Sequence, residues 1–257
     1  MVGFLHRPIT GPAGYGKSTV ASQWVEHTNL PAGWVSLGDR DNDPASFARY
    51  LVGAVRKASP GACPASLSAL DRDETPDPGE LGELLVNELL ELEGRILLVF
   101  DDFHRIHSPE VLQILAAVLE RPLPTLHLVI VSRRDPQIAL ASLRASGRLQ
   151  ELRMGALKFV PDESLAFIRQ AFPAEVLDEL PSLIERTDGW PVALRLLVLR
   201  LGSLPDPATV MEGLPSIAND VRDYLVAEVL DRLPPARLSS LLRVSILDRF
   251  CAPLCEA

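Results

Sequence analysis

Cysteine is scarce in this sequence: three residues, Cys63, Cys251 and Cys255, among 257. An odd count makes no disulfide framework, and a lone C-x3-C lacks the second ligand pair that a structural zinc would need. The three are expected as reduced, buried thiols. Positive charge is also in short supply, with 25 Lys and Arg against 34 Asp and Glu, a net charge of −9 and a pI near 5.1. Binding to a polyanion draws on clustered Lys and Arg, so this balance argues against direct DNA contact by the chain. No apolar run approaches the length of a membrane span, and the first residues lack the basic start and apolar core of a secretion signal. A cytoplasmic protein without membrane partners is expected. What is present is 47% hydrophobic residues, enough for one large domain or two modest ones.

Two short apolar runs, "ILLVF" (96–100) and "LHLVIV" (126–131), lack polar alternation, as strands buried on both faces do. "GWVSLG" (33–38) is a weaker third. Helical stretches lie between them, at 17–28, 44–58, 79–92 and 108–120. "DP" at 43–44 and "SPE" at 108–110 each put a capping side chain before a proline at the first helical position. The alternation predicts an α/β fold, a parallel sheet with helices on both faces. After about residue 155 only helical signals remain, at 161–172, around 175–187, at 190–201 and at 219–233. The expected division is 1–155, 156–215 and 216–257, with a further hinge at 203–209. The Pro-, Ser- and Asp-rich segment 59–78 reads as an exposed loop.

"GPAGYGKST" (11–19) fits G-x-x-x-x-G-K-[ST] through Gly11, Gly16, Lys17 and Ser18. Glycines let backbone amides curl around phosphate oxygens, a lysine reaches the β and γ phosphates, and the hydroxyl ligates Mg²⁺. A helix starting there adds its positive end. The competing reading is a flexible turn before a helix. A buried strand ending in Asp101 and Asp102 strengthens the first reading, because an acid at such a strand tip holds Mg²⁺ and a second can orient water. "LVIVSRRDP" predicts a strand beside it that delivers Arg133, or Arg134, to the γ-phosphate. A surface arginine pair is the bland alternative. His104 and His107 in "HRIH" lack a third metal ligand, so His104 is expected to line the phosphate site or to pack.

Taken together, these residues resemble the STAND signal-transduction P-loop ATPases, specifically the large ATP-binding LuxR-type transcriptional regulators. The resemblance extends through "WVSLGDRDNDPASFARYLVGAV" (34–55), "LVFDDFH" (98–104), "SRRDP" (132–136), "RASGRLQELR" (144–153), "TDGWPVAL" (187–194) and "DYLVAEVLDRLPPARLSSLLRVSILDRF" (223–250). It implies a P-loop nucleotide-binding domain, a helical domain and the beginning of a winged-helix domain that together switch between ATP and ADP states. The implied nucleotide-binding residues are Gly11, Ala13, Gly14, Tyr15, Gly16, Lys17, Ser18 and Thr19, with Pro191 brought to the adenine side. Ser18 and Asp101 would serve Mg²⁺, the latter through water. Asp102 would be the hydrolytic base, assisted by Lys17 and by Arg133 as γ-phosphate sensor, giving a slow ATPase. An ATP-dependent homo-oligomer is compatible with it, and full-length relatives would meet DNA and inducer through domains lying beyond this chain.

The sequence also departs from that pattern. "FLHRPIT" is short for a strand entering the loop, and Pro8 would remove a ladder donor. The first strand is therefore expected to be incomplete, with Met1 not the natural start or the chain a fragment. A phosphotransferase on the same fold, or a non-binding remnant serving as an interaction domain, are the alternative functions.

Overall fold

The computed structural model describes residues 6–72, 76–170, 184–185, 187–201, 219–231 and 233–245. The helix expected around 175–187 lies largely outside these residues. The hinge at 203–209, Cys251 and Cys255 lie outside them altogether. The chain divides into two compact units, residues 1–158 and 159–257.

The first unit is built on a parallel five-stranded sheet in the order β2-β3-β4-β1-β5. Its strands are β1 (Arg7–Thr10), β2 (Ala32–Ser36), β3 (Ile96–Asp101), β4 (Leu126–Ser132) and β5 (Leu152–Arg153). Its helices are α1 (Lys17–His27), α2 (Pro44–Ala58), α3 (Pro64–Leu70), α4 (Pro78–Leu90), α5 (Pro109–Glu120), α6 (Leu140–Ala145) and α7 (Met154–Leu157). The central strands are apolar over most of their length because both faces are covered. Ile96, Leu98, Phe100, Leu128 and Ile130 pack with Phe47, Leu51, Leu85 and Ile114 of the helices on one side. Leu97, Val99, Val129 and Val131 pack with Ile9 and Ala21 on the other. The period of two along each strand sends successive residues to opposite layers.

Proline starts helices rather than breaking them. It occupies the first position of α2, α3, α4 and α5, where the missing N–H has no partner to lose. The Asp43 carboxylate accepts from Ser46 N–H at 2.8 Å, and Ser108 Oγ accepts from Val111 N–H at 3.3 Å. Both starts expected from the sequence are therefore real caps.

Two expectations need correction. The segment 59–78 is not simply an exposed loop, since it contains α3, with Ser66, Ala69 and Leu70 buried. Glu88 binds that helix's start by accepting from Ala65 N–H at 2.7 Å and Ser66 N–H at 3.0 Å. The other is Pro8, which sits within β1, opposite Ile130 of β4. Backbone groups of a parallel strand point alternately to its two neighbours. Gly11 N–H donates to Ser132 O beside β4 at 3.3 Å, whereas His6 N–H donates to Arg148 O at 2.8 Å on the opposite side. Pro8, in step with His6, turns its missing donor to that second side. There the pairing is already broken between the isolated His6–Leu149 bridge and β5, so the ladder to β4 is untouched.

Among the described residues the second unit is helical. Helix α8 (Pro161–Arg169) and helix Pro191–Leu201 bury Ile168, Leu194 and Leu197. Trp190 packs edge-on against Tyr224, ring centroids 5.8 Å apart. Residues 219–225 run into a π-helical turn, Val226–Leu230, and helix Pro235–Val244 follows.

Candidate functional site

The sheet order decides what meets at its edge. Because β4 lies between β1 and β3, three neighbouring strand ends point the same way, with Thr10 opposite Ser132 and Phe100 opposite Ile130. The segments leaving them are the glycine loop, Arg133 and the pair Asp101 and Asp102. Residues as distant in sequence as Gly11 and Arg133 thus converge where ligands bind in open parallel sheets.

Within the loop, Gly14 and Gly16 have φ of 78° and 71°, the left-handed region that a side chain disfavours. Gly16 is also the residue preceding α1, and its carbonyl accepts from Val20 N–H at 2.9 Å, so the helix begins directly at the loop. Gly11 and Ala13 are buried, and Tyr15 packs on the face of the sheet that α1 covers. Lys17 Nζ donates to Pro12 O at 2.8 Å, which holds the ammonium over the loop. Ser18 and Thr19 are exposed on the first turn of α1.

Ser18 Oγ donates to Asp101 Oδ1 at 3.0 Å. The same carboxylate oxygen accepts from Asp102 N–H at 2.9 Å. Burial raises the Asp101 pKa above the ordinary aspartate range and the Asp102 charge adds to the rise, although both hydrogen bonds and Lys17 oppose it. Burial lowers the Lys17 pKa, and the Arg133 guanidinium lowers it further, against the pull of the two carboxylates. Lys17, Arg133, Asp101 and Asp102 therefore share one electrostatic neighbourhood.

Asp102 is left-handed, with φ 56° and ψ 31°, and its carbonyl accepts from Arg105 N–H at 3.0 Å at the start of a 3₁₀ turn, Phe103–Arg105. His104 points toward it, Nδ1 lying 3.8 Å from Asp102 Oδ1, beyond hydrogen-bond reach. Burial is the main cause that brings the His104 pKa down to about 4, with Arg133, Arg105 and Lys17 reinforcing it and Asp102 opposing. At neutral pH this imidazole is uncharged. No group of three or more His, Cys, Asp or Glu side chains able to hold a metal occurs among the described residues. Arg134 is turned away, its guanidinium donating to His104 O at 3.1 Å.

The structure therefore brings together Lys17, Ser18, Asp101, Asp102 and Arg133 of the expected residues. Pro191 starts a helix of the second unit. One residue that the sequence did not single out is Asn42. It closes a 3₁₀ turn, Asp39–Asn42, and its amide binds the loop after β3. Its only trace in the sequence is its place in "DND", a run of polar residues ahead of a proline.

The donor set suits a magnesium nucleotide. A hydroxyl and a carboxylate oxygen in contact are hard ligands of the kind Mg²⁺ takes, one or two at a time, with phosphate and water completing its shell. The left-handed glycines and the lysine suit the phosphates.

The MalT winged helix domain family matches residues 226–257. The regulator "HTH-type transcriptional regulator MalT" of Vibrio cholerae serotype O1 is 32% identical over 93% of this chain and 27% of its own length. Its counterpart in Yersinia enterocolitica is 35% identical over the same shares. The chain thus spans about a quarter of the length of these relatives. Among solved structures, the ORC1 protein of Aeropyrum pernix in complex with DNA shares the fold, with a TM-score of 0.51, 17% identity, and coverage of 95% of this chain and 66% of that one. Over 93% of its length the chain is similar to about a quarter of the length of the MalT transcriptional regulators, and its residues 226–257 match their winged helix domain.

Proposed function

We propose that this chain is the nucleotide-dependent switch of a transcriptional regulator, holding Mg·ATP or Mg·ADP on residues 11–19 and hydrolysing ATP slowly. The observation that carries the reading is the 3.0 Å contact between Ser18 Oγ and Asp101 Oδ1, 83 residues apart in sequence. A hydroxyl on the helix after a glycine loop has a reason to meet a strand-end carboxylate where a divalent cation is to be held between them. Mg²⁺, when bound, neutralises charge on the β and γ phosphates. Backbone N–H groups of the loop donate to phosphate oxygens, and Lys17 exchanges its Pro12 carbonyl for them. Asp102 accepts a hydrogen bond from the attacking water and takes its proton as the oxygen bonds to the γ-phosphorus. The bond to the β-phosphate oxygen breaks, leaving ADP and phosphate. Arg133 faces the negative charge that gathers on the transferred group. The three units expected from the sequence, with Pro191 on the adenine side, would convert the change of nucleotide into a change of packing.

Calorimetry with Mg·ATP tests the assignment. Lys17→Ala lowers affinity at least tenfold, since it removes the cation facing the phosphates. Asp102→Asn retains affinity within about threefold while turnover drops by about a hundredfold, the split expected of a group that orients water. Wild-type affinity in Lys17→Ala would refute the site, and a matched loss of binding and turnover in Asp102→Asn would make that residue structural.

A further inference from the structure

We infer that Asn42 is a positioning residue for the reaction, a clasp that fixes the loop carrying Asp102 and His104. Its consequence for turnover rests on the nucleotide reading above. The clasp itself rests on geometry alone.

The Asn42 amide is fully used by backbone from two loops. Its Nδ2 donates to Arg105 O at 2.9 Å and to Asp39 O at 3.2 Å. Its Oδ1 accepts from His107 N–H at 2.7 Å and from Ser108 N–H at 2.9 Å. Both carbonyls face the nitrogen and both N–H groups face the oxygen, which is the complete capacity of this side chain. Three of the four bonds cross from the loop after β2 to the loop after β3.

The crossing matters because of what the second loop contains. Asp102 is a non-glycine residue in left-handed backbone, which costs on the order of 1 kcal/mol and persists only where the surroundings impose it. On its N-terminal side β3 imposes it. On its C-terminal side the imposing contacts are the buried Phe103 and Ile106, the Arg134 guanidinium on His104 O, and the Asn42 amide, which seizes 105, 107 and 108. The apolar anchors resist withdrawal from the core but not sliding along it, whereas three hydrogen bonds to the loop fix its position in three dimensions. Asn42 is itself held. Asp41 accepts from Gly38 N–H at 2.6 Å within the same turn, and Asp43 caps α2. The exposed Arg105–Asp39 pair at 3.5 Å adds a second, weaker link.

Such a residue touches no phosphate, so its loss should spare binding and reduce turnover. A water-orienting carboxylate displaced by a fraction of an ångström loses rate steeply, while a phosphate grip made by residues 11–19 does not. In the 257-residue chain, hydrogen exchange in wild type should show His107 and Ser108 amides protected. In Asn42→Ala, exchange at these two amides should rise at least tenfold with α1 amides unchanged, Mg·ATP affinity should stay within about twofold, and kcat should fall about tenfold. Asn42→Asp keeps size and Oδ1 but sets an oxygen against two carbonyls, and it should move in the same direction, which covers the case of an alanine variant that does not fold. Unprotected amides in wild type, unchanged exchange in both variants, or binding and kcat falling in proportion would each overturn the inference. A wild type that binds no nucleotide would sink the nucleotide reading, and the exchange result would still decide whether Asn42 holds the loop.

Discussion

His6 shows how much a single side chain can carry in this fold. It is 3% exposed, its backbone ties β1 to the 148–150 segment, and Nδ1 has no hydrogen-bond partner. Burial brings its pKa down to about 4 from 6.5, with Arg148 and then His127 adding repulsion. The folded value lies below the unfolded one, so the unfolded chain takes up the proton first as pH falls. This contribution is intact above pH 6.5 and is lost progressively toward pH 4. Between pH 7 and pH 5 the loss comes to about 2 kcal/mol. Urea unfolding at the two pH values should therefore show wild type losing about that much more stability than His6→Gln. Equal losses in the two proteins would mean that His6 is already charged or solvated in the fold. The residues that bear chemistry were legible where type and spacing are both restricted, as in Gly11, Gly16, Lys17 and Ser18. Asn42 was not, because its partners are backbone atoms 63 to 66 residues away that leave no mark in sequence.

Elements were readable in proportion to their length and to the simplicity of their burial. Strands β3 and β4 are apolar on both faces, and α2 and α5 carry both a periodic face and a cap, so a single pattern determines each. The two residues of β5 and the four of α7 are too short to hold any period. Helix α3 was hidden by composition, since its proline and serines resemble loop residues until Glu88 is seen to cap them. Strand β1 accommodates Pro8 because the rule against proline in a strand concerns a donor, and which neighbour loses that donor is a matter of register, which the sequence does not show. Packing between elements sets a sharper test. A Cβ on Gly33 of β2 would lie 2.2 Å from Ala54 O of α2, so the helix rests directly on the strand backbone. Backbone atoms cannot step aside as a side-chain tip can. Gly33→Ala should cost about 3 kcal/mol, read from the denaturation midpoint. A change below about 0.5 kcal/mol would show that α2 tolerates a shift, and that the β2 loop with Asn42 is less firmly placed than the contact implies.

At the scale of the whole molecule the acidic balance, −9 overall, leaves the cations gathered at the site as a local exception to a negative chain. Lys17 and Arg133 lie together at one sheet edge, so a polyphosphate would be attracted there and a long polyanion repelled by the rest. What remains is how a nucleotide on the first unit is felt by the second. The proposed route is Pro191, at the start of a helix whose preceding residue, Trp190, packs on Tyr224. A ligand that binds only the folded protein stabilises it by RT ln(1 + [L]/Kd), about 2.7 kcal/mol at a hundredfold excess over Kd. If ADP contacts both units, the whole of that energy is lost when either unfolds, and the two melt as one transition at saturating ADP. Removing the Pro191 contact raises Kd, and a tenfold rise reduces the stabilisation at fixed ADP by about 1.4 kcal/mol. Melting followed calorimetrically across an ADP series should therefore give a smaller shift for Pro191→Ala than for wild type, with the second unit melting separately in the variant. A helix that is merely local core predicts something else: a lower melting temperature at every ADP concentration with an unchanged ADP-dependent increment. Parallel curves of that kind would remove Pro191 from the switch and confine the nucleotide's influence to the first unit.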